Sequence, residues 1–155
     1  MRAVLLLLAT ILCLGCHEDV VSYGEFCSEL RTASRWRFVV YMDADACLTC
    51  LEDMDAWREL VAVLETDGRG EVFVYTSRED SSDVYWAMKL EGISDSVFVM
   101  DQETVEDFGW DKLGAPVKIL LDADSNPQLI GGIMPSRDAA RCLVNDMAKI
   151  VRNSE

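Results

Sequence analysis

This chain has one histidine and three prolines, and its 14 lysines and arginines are outnumbered by 28 aspartates and glutamates. The single histidine, His17, argues against a structural zinc site, which needs two Cys pairs or a pair plus two histidines. The formal net charge of −14 argues against nucleic acid as a partner and against attraction to anionic membrane surfaces, because both require clustered Lys and Arg. No G-x-G-x-x-G run occurs, so no flavin or nicotinamide fingerprint is present and no cofactor is expected. No internal repeat or low-complexity segment interrupts the chain. The apolar stretch from Ala3 through Leu14 is too short to span a bilayer comfortably.

That stretch has instead the length of a signal-peptide core, preceded by the positive Arg2 and followed by Gly15-Cys16 and the polar His17-Glu18-Asp19. Residues 1–15 resemble a bacterial lipoprotein signal, in which Cys16 becomes the lipidated first residue of the mature chain. The usual pattern has Leu and then a small residue before the Gly; here Cys13 and Leu14 stand there. Ordinary secretion with cleavage nearby is the alternative. Either way the chain is expected outside the cytoplasm, where disulfides persist. With lipidation it would sit in the bacterial cell envelope, tethered to a membrane on the periplasmic side. About 140 residues remain after the signal, a single-domain length, divided into a polar lead-in over 16–34 and one domain over 35–155.

Within the lead-in, Val20, Tyr23, Phe26, Cys27 and Leu30 have roughly helical spacing and predict a short helix. Arg37 to Met42 reads as a buried central strand. From Cys47 onward, Leu51, Met54, Trp57, Leu60, Val61 and Leu64 recur at three and four residues, the pattern of an amphipathic helix. Asp67-Gly68-Arg69-Gly70 ends it. Glu71 to Thr76 is a second strand, and Ser81-Ser82-Asp83 can cap a helix carrying Val84, Tyr85, Met88 and Leu90. Val97 to Met100 is a short extended piece, and Glu103 to Phe108 a helical turn or two. Val117 to Leu121 is a strand, Asp122 to Asn126 a turn, and Gln128 to Ile130 the returning arm of a hairpin. Pro135-Ser136-Arg137-Asp138 opens a last helix, with Ala139, Cys142, Leu143, Met147, Ile150 and Val151 expected on one side. The order β-α-β-α-β-β-α, with an insertion before the third strand, predicts an α/β fold with a mixed central sheet flanked by helices.

Six cysteines are present. Cys47-Leu48-Thr49-Cys50 stands between the first strand and the helix after it. Two thiols three residues apart at a helix start form a reactive dithiol. Cys47 would face the positive end of the helix dipole, which lowers a free-thiol pKa of about 8.5. Asp43, Asp45, Glu52, Asp53 and Asp55 oppose this, and no Lys, Arg or His lies between Asp43 and Trp57. The dipole acts at contact distance and exposed carboxylates are screened, so a modest lowering is expected, which suits a reductant more than a strong oxidant. Cys27 and Cys142 have two readings. One is a disulfide closing a long loop, worth about 4–5 kcal/mol in the chain-entropy model; the other is two separate buried thiols.

Taken together, these features resemble the thioredoxin superfamily, and more narrowly the extracytoplasmic thiol-disulfide oxidoreductases of the TlpA/ResA type. The resemblance covers roughly residues 35 to 152. It rests on the strand-to-helix Cys47-Leu48-Thr49-Cys50, on Ala115-Pro116 leading into Val117-Lys118-Ile119-Leu120-Leu121-Asp122, and on the closing hairpin and helix. It implies that Cys47 attacks and Cys50 resolves. It also implies that Pro116 is a cis-proline whose neighbour Ala115 pairs with an extended substrate segment. Asp53 falls where that type often has Glu near the second thiol. Residues i and i+3 share a helix face, so Asp53 can approach Cys50 and take its proton during exchange. The other reading is a solvent-facing acid suited to the helix dipole. Departures from the type are Ala46 for Trp, Thr49 for Pro, and Tyr41 where thioredoxins have a buried acid.

The function implied is a membrane-tethered oxidoreductase that reduces disulfides in exported proteins and is recharged by a membrane electron donor. The alternative is a non-catalytic thioredoxin-like lipoprotein that holds a partner, with a structural Cys47–Cys50 disulfide.

Overall fold

The computed structural model describes residues 20–21, 35–44 and 53–154. Cys16, Cys27, Cys47 and Cys50 lie outside these described residues, as does most of the lead-in over 16–34.

Six strands form one mixed sheet in the order β1-β4-β3-β2-β5-β6. The centre is β2 (Trp36–Tyr41), which pairs in parallel with β3 (Gly70–Thr76) and antiparallel with β5 (Val117–Leu121). Sequence explains that position. A strand covered on both faces reads as a continuous apolar run rather than an alternation, and Phe38, Val39 and Val40 are all buried, as is every residue of β5. Beyond β3 lies β4 (Val97–Met100), again parallel, and beyond β5 the antiparallel β6 (Pro127–Gly131). Proline at the first position of β6 costs no ladder bond at an edge.

Helix α1 (Met54–Glu65) connects β2 to β3, and α2 (Ser81–Leu90) connects β3 to β4. Both crossovers advance in the same direction along the sheet, so one handedness puts both helices on one face. The chain then returns past β2 to β5 through α3 (Gln102–Asp107) and α4 (Trp110–Leu113), which cover the opposite face. The final helix, α5 (Arg137–Arg152), packs beside α1, and Arg152 bonds Glu59 at 2.6 Å across the pair. Two cores result. Phe38, Val40 and Leu120 point toward Trp57, Leu60 and Leu64 of α1 and Met147 and Val151 of α5. Val39, Tyr75 and Ile119 point toward Val105 and Trp110.

The α/β architecture, the mixed sheet and the hairpin agree with expectation. Three details do not. Val20 and Val21 form β1, an edge strand parallel to β4, where helical spacing had suggested a helix. Two adjacent β-branched residues suit the open edge of β4 better than a helical turn. Helix α2 has Asp80 at its N-cap position, one residue before the expected serines; its carboxylate accepts a bond from Ser77 Oγ at 2.8 Å.

The buried face of α5 consists of Val144, Met147, Ala148 and Val151. Met147 and Val151 belong to the expected stripe, and its Leu143 and Ile150 pack partly buried against the same core. Cys142 is exposed, and Cys27, with which a disulfide was one of two readings, lies outside the described residues. The reading of Cys142 as a buried thiol does not hold, since it is exposed.

Candidate functional site

The site is assembled where the start of α1, the segment entering β5 and the start of α5 converge. Of the expected residues, Asp53, Ala115 and Pro116 meet there, lining one cleft of about 320 Å³. The Ala115-Pro116 peptide is cis, as the resemblance implied.

Asp53 is the residue before α1. Its side chain does not cap the helix and does not face solvent: the residue is only 5% exposed. The solvent-facing reading of this acid is thereby excluded. Among the described residues its Oδ1 accepts no hydrogen bond; the Arg137 Nε stands 3.9 Å away. Arg137 is the first residue of α5, whose N-cap Ser136 accepts a bond from the Ala139 amide at 3.2 Å. A carboxylate held in a cleft beside a guanidinium, with one oxygen accepting no hydrogen bond among the described residues, can serve as a proton acceptor.

Sequence reasoning missed Lys118. It is the second residue of β5, and strand alternation turns it away from Val117 and Ile119 toward the face covered by α1 and α5. It is 2% exposed, lines the same cleft as Asp53, and holds its ammonium 5.6 Å from the centroid of the Trp57 ring. Trp57 is fully buried and meets Phe38 edge-on, with ring centroids 5.5 Å apart. The absence of nearby basic residues in the sequence is thus compensated by the fold. Lys118 and Arg137 come from far along the chain, and Asp55 is paired at 2.6 Å with Arg58 on the exposed side of α1. The one available signal was a lysine inside an otherwise apolar strand.

Tyr41 ends β2 and leans on Trp110 at 5.9 Å between centroids. Burial, with Asp43 and Asp80 nearby, pushes its phenol above the ordinary value of 10.0. It therefore stays neutral, unlike the acid that the thioredoxin pattern has at this position.

Two glycines let the walls of the cleft close. A Cβ on Gly132 would lie 2.2 Å from the Leu113 carbonyl oxygen. Only glycine permits that approach, which brings the Ile133 amide to the same carbonyl at 3.0 Å. Gly114 has φ of 71°, a left-handed conformation natural to glycine, and a Cβ there would meet the Ile133 side chain at 2.5 Å. The segments carrying Pro116 and Ile133 are thus held side by side. Ile133 itself is 70% exposed and gives the rim an apolar surface.

No protein-family model and no curated protein matches the chain. Solved structures do. A thiol:disulfide interchange protein from Bacteroides sp. superposes with a TM-score of 0.56 at 15% identity, covering 78% of this chain and 76% of that one. A thioredoxin-like protein from Porphyromonas gingivalis gives 0.57 at 13% identity, covering 80% of each chain. A secreted Mycobacterium tuberculosis disulfide oxidoreductase gives 0.52 at 10% identity, over 77% of this chain and 85% of that one. The fold of the chain is thioredoxin-like.

Proposed function

We propose that the protein is a thiol-disulfide oxidoreductase of the TlpA/ResA type, acting through Cys47 and Cys50. The observation that carries this reading is the cleft shared by cis-Pro116 and buried Asp53, a residue only three positions along the chain from Cys50. Similarity to interchange proteins and to a secreted disulfide oxidoreductase supports the same class.

In the reaction, the Cys47 thiolate attacks one sulfur of a client disulfide. A mixed disulfide forms and the other client sulfur leaves as a thiolate. Asp53 accepts the Cys50 proton, and the Cys50 thiolate then attacks the Cys47 sulfur. The Cys47–Cys50 disulfide closes and the second client thiolate departs. Two electrons pass from the dithiol to the client, which takes up two protons. Ala115 and Pro116 present the backbone edge against which an extended client segment lies. Clients are exported proteins carrying disulfides, and a membrane electron donor restores the dithiol.

The lipoprotein-like start supports an extracytoplasmic location on a lipid anchor at Cys16. Among the described residues no helix is long and apolar enough to cross a membrane.

Trapping tests this function. The Cys50→Ser variant should accumulate a reducible mixed disulfide between Cys47 and a disulfide-bearing substrate such as insulin, and Cys47→Ser should form none. Equal trapping by both variants, or by neither, would favour the non-catalytic reading with a structural Cys47–Cys50 bridge.

A further inference from the structure

The outer face of α2 leaves two large apolar side chains in water. Trp86 is 55% exposed and Leu90 80%. They are four residues apart, so they share one face of the helix, on the side away from the buried Val84 and Met88. Tyr85 meets the Trp86 ring edge-on at 5.4 Å between centroids. Lys89 Nζ stands 5.3 Å from the Tyr85 centroid and 5.7 Å from that of Trp86. Aromatic rings beside a lysine and a leucine suit the boundary between lipid headgroups and acyl chains, because each ring or stem is apolar along its body and polar at its tip.

The start of the chain bears on what covers this face. Strand β1 is the outer edge of the sheet and pairs with β4, and α2 is the helix that leads into β4 and packs on it. Val20, the first residue of β1, is four residues after Cys16, and four residues span about 14 Å at most. Acyl chains on Cys16 would therefore keep the β1 edge close to the membrane surface. Two helices flank β4 from opposite faces. One is α3, which exposes Glu103, Glu106 and Asp107, and carboxylates are costly to desolvate against lipid. The other is α2, whose single acid is Asp83. The cleft lies away from this edge: β5, which Pro116 precedes, is four strands from β1, about 19 Å at the usual strand spacing.

We propose that α2 is the membrane-facing surface of the tethered protein: Trp86 and Leu90 enter the headgroup–acyl boundary of the bilayer that holds the Cys16 lipid, with Tyr85 and Lys89 at its wet edge. The proposal rests on the lipid-anchor reading and extends it from a tether to an orientation. The contact is apolar, and a net charge of −14 favours neutral headgroups over anionic ones. Docked on this face, the domain holds its cleft off the bilayer and open to exported clients.

The test uses the full-length lipidated chain, purified in detergent and reconstituted into phosphatidylcholine vesicles with or without bromine at shallow acyl positions. Trp86 is one of four tryptophans, and subtracting the emission of Trp86→Phe isolates it. Bromolipid should quench that emission by about half, as for a ring at the headgroup–acyl boundary, and about threefold less in Leu90→Glu. Glu103→Gln, on α3, should match wild type.

Vesicle-bound wild type whose Trp86 emission bromolipid leaves unchanged would overturn the inference. If that emission is instead shielded from acrylamide as protein concentration rises, the face belongs to a second copy of the chain. Equal quenching in wild type and Leu90→Glu would also overturn it. Protein that does not float with the vesicles would overturn the lipid-anchor reading, and the inference with it, while leaving the thiol chemistry untouched.

Discussion

The Asp53 carboxylate and the Arg137 guanidinium face each other at 3.9 Å across the cleft, one at the start of α1 and the other at the start of α5. The separation is too long for a hydrogen bond, and the two ends differ in exposure: the Asp53 side chain is 6% exposed and that of Arg137 58%. The buried acid is therefore held near a cation without a direct hydrogen bond to it, which suits the proton-acceptor role proposed for it.

Replacing that acid tests its role. Asp53→Asn keeps the shape and removes the proton acceptor. It should slow disulfide exchange about a hundredfold, within the ordinary range for general-base groups, while the circular dichroism spectrum stays unchanged. Stopped-flow measurement with a model disulfide checks this. A variant as fast as wild type would leave Asp53 with no chemical part.

Gly132→Ala tests the closure of the cleft. The new methyl would lie 2.2 Å from the Leu113 carbonyl oxygen, so backbone must move. Overpacking of this kind costs about 1–3 kcal/mol. Urea denaturation should show a loss in that range, together with slower exchange, since the Ile133 segment forms one wall. A mutant of unchanged stability would mean that the loops separate freely.

The hairpin turn has its own pH signature. Asp122 accepts the Asn126 and Asp124 amides at 2.9 Å each and the Gln128 side chain at 2.7 Å. These bonds, that to the Asn126 amide foremost, hold its carboxyl below the ordinary 3.8. A depressed carboxylate stabilises the fold fully above its unfolded-state value and loses that contribution as pH falls through the folded value. Asp122→Ala should therefore melt below wild type at pH 7, and the gap should narrow steadily as acidification passes below 3.8. A gap independent of pH would contradict this.

Much of the architecture was legible because local signals agreed. Val117–Leu121 is a strand as expected, and Met54, Trp57, Leu60, Val61 and Leu64 are all buried positions of α1, joined by Ala56. Asp122 and Asn126 mark the hairpin turn in composition as well as in space. The candidate site was only half legible. Cys47, Cys50, Asp53 and Pro116 announced themselves by spacing or by resemblance. Lys118 and Arg137 did not, because their proximity to Asp53 is created by strand pairing and helix docking over long chain separations. Gly132 read only as the end of a strand, since the contact that demands it is with Leu113. In α5 the apolar stripe was legible at Leu143, Met147, Ile150 and Val151, while Cys142, beside it in the sequence pattern, is exposed.

The central claim is that Cys47 and Cys50 form an exchanging dithiol. A redox titration of the pair in dithiothreitol and glutathione buffers, read by alkylation and mass, tests it most directly. The account predicts a two-electron midpoint in the thioredoxin-like range, roughly −200 to −300 mV. A pair that stays oxidised far below that range, or never reacts, would contradict it.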